Sequence, residues 1–252
     1  MVRGLEYFRE YFKDFQDSYV LIGGVACDLA MDEAGIDFRA TKDLDIVLCA
    51  EAIDGAFVAK FWQFVKDGGY EHQEKSTGDK QFYRFNKPIN IEFPYMLELF
   101  SRKPDWMVLG DDSHLTPISV DEEVSSLSAI LLDDDYYQCA KNGRLVIDGV
   151  SILKPEYILA FKARAWLDLA ERKNIGETVD SKNIKKHRND VFRLFALLSP
   201  EQRIEISAGI KEDMKKFVTA MSNEDGLNIQ QFGLKNLSVI DVIENLILIY
   251  QL

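Results

Sequence analysis

The sequence predicts an α+β chain: a mixed sheet with helices in the N-terminal half, followed by an all-α C-terminal half. Two short apolar runs, Tyr19-Val20-Leu21-Ile22 and Ile46-Val47-Leu48, have the length and branching of buried strands, and both lie early in the chain. Helical periodicity alternates with such runs there. From Pro155 onward the pattern is helical without strand signals. The boundary is expected near residue 150, dividing the chain into 1–150 and 151–252.

The elements follow in order. Leu5, Phe8, Tyr11, Phe12 and Phe15 recur at helical spacing, so the chain opens with a helix. Tyr19–Ile22 is a strand that ends in the tight turn Gly23-Gly24, and Val25 to Met31 reads as a helix stopped by Gly35. Asp43 to Leu48 is the next strand. Ala52 to Lys66 carries Phe57, Phe61, Phe64 and Val65 at helical intervals and ends at Gly68-Gly69. Gln81 to Phe85 alternates as a strand, Pro94 to Ser101 is another, and Leu145 to Ile152 adds a short one. Helices are expected over Tyr157–Glu171, Ser181–Leu198, Pro200–Met221 and Ser238–Leu252. Pro200 opens its helix, where a missing N–H does little harm.

The chain has 252 residues, 47% of them hydrophobic, enough for one large domain or two small ones. Its formal charge is -12, so the surface as a whole repels nucleic acid. Between Phe161 and Arg193, however, nine Lys or Arg stand against five Asp or Glu, leaving room for a local anion site. Cys27, Cys49 and Cys139 have neither disulfide-framework nor zinc spacing, and a reducing cytoplasm is expected. Met1 to Phe15 lacks a signal-peptide apolar stretch, and no segment reaches the roughly 18 apolar residues of a membrane span.

The chemistry concentrates at Thr41-Lys42-Asp43-Leu44-Asp45. On a strand, residues 43 and 45 point the same way. Two carboxylates about 4 Å apart repel by about 4 kcal/mol at an effective dielectric near 20, so a cation is expected between them, a divalent metal above all. Thr41 shares their face, while Lys42 points away. Gly23-Gly24 can approach a ligand closely, and the amides that follow at a helix N-terminus can hold phosphate. A third carboxylate is expected on a later strand. Glu98 is the choice because it interrupts the apolar run Tyr95-Met96-Leu97-Glu98-Leu99-Phe100; Glu92, in Ile91-Glu92-Phe93, is the competitor. Asp133-Asp134-Asp135 alternate faces and read as a solvated turn. His72, His114 and His187 lack ligand spacing, Trp62, Trp106 and Trp166 read as core, and Cys27 has no partner His nearby in sequence.

A Gly-Gly turn opening a helix, an Asp-x-Asp strand and a later strand carboxylate together resemble the DNA polymerase β nucleotidyltransferase superfamily. Lys162-Ala163-Arg164-Ala165 and Lys186-His187-Arg188-Asn189-Asp190-Val191-Phe192-Arg193-Leu194 are similar to the AbiEii-type branch, the abortive-infection or type IV toxins, within an uncharacterised bacterial subgroup. One departure stands out: the superfamily's usual turn is Gly-Ser, and here Gly24 takes the place of the Ser.

The resemblance implies a nucleotidyltransferase-type sheet and transfer of NMP from an NTP to an acceptor, with release of pyrophosphate. The acceptor is left open among tRNA, protein and a small molecule, and an antitoxin partner is implied. Asp43, Asp45 and Glu98 would be metal ligands for two Mg²⁺ about 3.5–4 Å apart, with Glu98 on the acceptor side. Gly23, Gly24, Thr41, Lys162, Lys186 and Asp190 would bind the nucleotide, Asp190 lying one helical turn beyond Lys186 and able to orient it. Two alternatives remain: a catalytically silent nucleotide-binding module, and an aminoglycoside-type enzyme drawing a cationic substrate to an acidic surface.

Overall fold

The apolar run Tyr19–Ile22 becomes a fully buried strand, β1, from which the acidic residues are laid out. The computed structural model describes residues 2–72, 83–102, 115–118, 127–224 and 226–252. Gln81, Trp106 and His114 fall outside them. The chain divides into two compact units, Met1–Lys154 and Pro155–Leu252.

In the first unit, β1 pairs antiparallel with β2 (Asp43–Leu48) on one side and parallel with β9 (Val150–Leu153) on the other. β2 pairs parallel with β5 (Met96–Ser101), which pairs antiparallel with β4 (Arg84–Asn86) and through it reaches β3 (Glu71–His72). β7 (Leu127–Leu131) takes β5 further along, with β6 (Leu115–Ile118) beside it, and β8 (Arg144–Ile147) pairs with β9 at the far edge. The result is a mixed sheet with helices, and a helical second half follows it, as the patterning implies.

Among the described residues, this unit also holds helices α1 (Leu5–Phe12), α2 (Gly23–Glu33), α3 (Gly55–Gly68) and α4 (Asp134–Asn142). Phe8, Phe12, Phe57, Phe61, Phe64 and Phe93 are buried in one aromatic cluster, with Phe12 and Phe64 rings 5.5 Å apart. The cluster also fixes which face of the sheet is which. Phe61 of α3 meets Phe85 of β4 at 5.6 Å, and Phe85 is in register with Leu97, which is in register with Leu44. Register partners share a face and neighbours alternate. The face carrying Phe85, Leu97 and Leu44 is therefore covered by α3, and the face carrying Arg84, Glu98 and Asp45 is the opposite one.

The second unit holds α5 (Pro155–Asn174), α6 (Ser181–Phe195), α7 (Ala208–Ser222) and α8 (Val239–Tyr250). Side chains stop the helix ends. Ser207 accepts the Ile210 N–H, and Ser238 forms a capping box with Asp241. Arg164 of α5 donates to both carboxylate oxygens of Asp213 of α7 at 3.2 Å.

Several sequence expectations are corrected. Leu145 to Ile152 is not one strand but a hairpin, turning on Asp148-Gly149 with φ of 49° and 75°. An Asp-Gly pair is the favoured filling of such a two-residue turn. Asp133-Asp134-Asp135 is not a free turn: the Asp133 carboxylate accepts the Asp135 N–H at 2.9 Å and starts α4, with acids at the positive end of the helix. The helix expected from Pro200 begins at Ala208. Before it, Ile204 is buried and donates its N–H to the Ile249 carbonyl, a tertiary pairing that competes with local helix. No helix among the described residues is long and apolar enough to cross a membrane.

Candidate active site

Asp43 and Asp45 sit at the start of β2, both half-buried, with the buried Leu44 between them facing the other way. The parallel pairing of β2 and β5 places Asp45 in register with Glu98, and the antiparallel pairing of β5 and β4 places Glu98 in register with Arg84. On its other side Asp45 is in register with Ile22, the last residue before the Gly-Gly turn. A single row thus crosses four strands on one face: Arg84, Glu98, Asp45, Ile22. Asp43 stands two residues from it along β2, opposite Met96. Glu92 is not part of this row. It lies outside the strands and accepts a hydrogen bond from the Tyr7 hydroxyl.

The Gly-Gly turn is bound to the acids by contact. Gly23 has a φ of +69°, and a Cβ there would stand 1.8 Å from Asp45 Oδ2. The missing side chain is the seat of the Asp45 carboxylate. Gly24 has the same relation to Thr41: a Cβ would stand 2.4 Å from Thr41 Oγ1. The departure from Gly-Ser therefore has a steric reason, because the Thr41 hydroxyl occupies the space into which a serine side chain in place of Gly24 would project. Gly23 and Gly24 open α2, whose N-cap, Ile22, supplies no side-chain hydrogen bond and whose first turn contains no acid. The first backbone N–H groups of a helix have no partner inside it, and their positive end suits an anion.

Glu98 has a partner that sequence reasoning missed. Arg84 Nε donates to Glu98 Oε1 at 2.6 Å, and Arg84 Nη2 donates to the same oxygen. The signal lay in the strand alternation of residues 81–85, which sets Arg84 opposite in direction to the buried Phe85. Lys42 lies over the Tyr95 ring, 4.0 Å from its centroid, away from the acids as alternation requires.

The donor set suits an oxygen-liganded divalent ion: hard carboxylates at adjacent register positions, one of them seated against glycine. Among the described residues, however, no three His, Cys, Asp or Glu side chains lie together as a group that holds a metal ion, and Glu98 is turned onto Arg84.

The other nucleotide candidates belong to the helical unit. Lys162 of α5 is 4% exposed, and its ammonium lies 3.5 Å from the fully buried Asp190 of α6. Arg193 donates to Asp190 as well, at 3.1 Å. The pairs that neutralise Asp190 thus include a cation from a second helix, where sequence spacing pointed to Lys186 alone. Lys186 is half-buried on α6.

A second polar cluster, also missed, lies just beyond the far end of β2. Glu51 accepts from the Tyr137 hydroxyl at 2.7 Å and from Arg102 Nε at 3.1 Å, with the Lys141 ammonium at 3.3 Å. Burial alone would raise the Glu51 pKa, but the Tyr137 hydrogen bond and Lys141 outweigh it and hold the carboxyl down to about 2.

No protein-family model matches this chain, and no curated protein does. Among solved structures, it is similar to the lincosamide antibiotic adenylyltransferase LnuA with lincomycin bound, at 16% identity over 73% of this chain and 94% of that one, TM-score 0.35. It is similar to JHP933 from Helicobacter pylori at 14% identity, over 98% of this chain and 90% of that one, TM-score 0.36. It is also similar to the Megavirus polyadenylate synthase at 11% identity, over 87% of this chain and 37% of that one, TM-score 0.39. Likeness this distant assigns no activity, and the functional reading stands on the residues of the site.

Proposed function

We propose that the chain is a nucleotidyltransferase that moves NMP from an NTP to an acceptor. The observation that carries the reading is the seat of Asp45: its carboxylate rests on Gly23 at the start of α2, in register with Glu98 on the neighbouring parallel strand. Metal-ligand carboxylates and a phosphate-binding turn thereby share one place.

The roles follow from position. The N–H groups of the first turn of α2, which have no carbonyl partner within the helix, hold the β- and γ-phosphates. The Thr41 hydroxyl, packed against Gly24, is the side-chain donor of that turn. Asp43, Asp45 and Glu98 would hold divalent magnesium, which when bound would neutralise the phosphate charge and acidify the attacking group. The acceptor atom bonds to the α-phosphorus, the bond from that phosphorus to the pyrophosphate oxygen breaks, and Glu98 receives the acceptor's proton. Of the helical unit's candidates, Lys186 keeps the role of nucleotide contact. Lys162 and Asp190 hold α5 to α6. Growth arrest on induction, relieved by a neighbouring gene, is the test of the toxin role that the AbiEii resemblance implies.

One observation favours the silent nucleotide-binding module instead: Glu98 is closed onto Arg84. Label transfer decides between the two. The protein is incubated with each α-labelled NTP, Mg²⁺, and bulk tRNA or cell lysate. Disturbing the surroundings of a metal ligand typically costs 10–100-fold, so Asp43→Asn and Asp45→Asn should each lower transfer by about 100-fold or more. Transfer that survives both substitutions removes the metal assignment. Nucleotide binding without transfer to any acceptor supports the silent module.

A further inference from the structure

Glu98 and Arg84 carry one step more, which rests on the metal-carboxylate reading above. The Glu98 side chain is 14% exposed, so its charge needs a cation in every state of the protein. In this structure that cation is Arg84. The grip is one-sided, since Nε and Nη2 both fall on Oε1. The strong fork-to-fork arrangement would give each carboxylate oxygen its own N–H.

The two partners also differ in how firmly they are placed. Glu98 is in the middle of β5, paired on both sides, with Asp45 and with Arg84. Arg84 begins the three-residue β4, and its side chain is 39% exposed. Its guanidinium carbon already lies 5.8 Å from the centroid of the Tyr83 ring, a second resting place for a cation. The arginine is the member of the pair that can leave.

We propose that Arg84 is a resident counter-ion of the site, which a divalent cation displaces from Glu98 as the site loads. Without either cation, Glu98 would face the Asp45 carboxylate across adjacent strands with no cation of its own. With both, two cations would crowd one carboxylate. The two occupants therefore compete. Arg84 keeps the unloaded site neutral at Glu98 and raises the concentration of metal needed to fill it. A monovalent ion, with half the charge, does not displace it.

The test uses the full chain and Mn²⁺, followed by titration calorimetry and by thermal unfolding, in the parent, Arg84→Met and Asp45→Asn. A hydrogen bond to a charged group contributes about 1.5–3 kcal/mol, so Arg84→Met should bind Mn²⁺ at least about tenfold more tightly than the parent. Its melting temperature in EDTA should be lower and should recover more on adding Mn²⁺. Affinity in Arg84→Met no tighter than in the parent, while Asp45→Asn still abolishes binding, overturns the exchange and leaves the metal reading standing. Parent binding that is absent, or indifferent to Asp45→Asn, overturns both. Should Arg84→Met not fold, the parent decides. The Arg84 side-chain N–H resonance, assigned by its loss in Arg84→Lys, should move on adding Mg²⁺ but not K⁺. A resonance that Mg²⁺ leaves in place refutes the displacement.

Discussion

Adding one methyl group to Gly23 should dismantle the seat of Asp45, and the cost can be worked from two contributions. The first is conformational: φ is +69°, where an L-residue pays about 1–2 kcal/mol. The second is steric. The new Cβ would stand 1.8 Å from Asp45 Oδ2 and 2.8 Å from its Cγ, so the carboxylate must leave its place. Overpacking of that kind typically costs about 1–3 kcal/mol. Gly23→Ala should therefore lose about 2–5 kcal/mol, and a unit of this size melts about 2–4 °C lower per kcal/mol. The structure supplies its own control. Gly35 has the same φ, +69°, with nothing within 4 Å of its would-be Cβ. Gly35→Ala should show the conformational cost alone. In an Asp45→Ala background, Gly23→Ala should fall toward the Gly35→Ala level, the Cβ retained at position 45, 3.1 Å away, leaving a small remainder, a double-mutant cycle read by thermal unfolding. A Gly23→Ala loss no greater than that of Gly35→Ala would refute the claim that this glycine exists to admit the carboxylate.

Two further predictions concern charge. Asp190→Ala leaves the buried Lys162 uncompensated and should cost about 3–5 kcal/mol in urea unfolding, whereas Lys162→Met leaves Asp190 with Arg193 and should cost distinctly less. Equal losses would mean that Lys162 does not neutralise Asp190. Glu51, held down to about 2, contributes stability that is present above the ordinary carboxylate value of 4.5 and is lost as pH falls from there toward 2. Its partial exposure keeps the effect small. The melting-temperature difference between parent and Glu51→Gln should shrink across that window, and a difference independent of pH would remove Glu51 as its source.

Much of the layout of the candidate site was legible because strand alternation is a rigid rule. Asp43 and Asp45 had to share a face once Ile46-Val47-Leu48 marked a strand, and Glu98 was conspicuous as an acid within an apolar run. Thr41 could be named as a neighbour, but not what it touches. Its contact with Gly24 depends on how residues 34–42 return to the sheet, and no local pattern encodes that path. Arg84 was missed for a related reason. A cation on a short strand looks like ordinary solvent-facing charge until cross-strand register puts it opposite Glu98. The hairpin at Asp148-Gly149 is different: its turn chemistry was visible, and the apolar run on both sides masked it.

The sequence by itself determined the opening order of helix, strand, helix, strand and helix over residues 5–68, the division into a sheet-bearing half and a helical half, and the shared face of Asp43 and Asp45. Each depends on the backbone period, 2 for strands and 3.6 for helices, which side-chain pattern reports directly. Only the tertiary structure decided which strands are neighbours, and hence that Asp45 lies between Gly23 and Glu98, that Arg84 holds Glu98, and that Lys162 neutralises Asp190. Those pairings join residues far apart in the chain, and they are selected by the packing of whole elements rather than by any local preference.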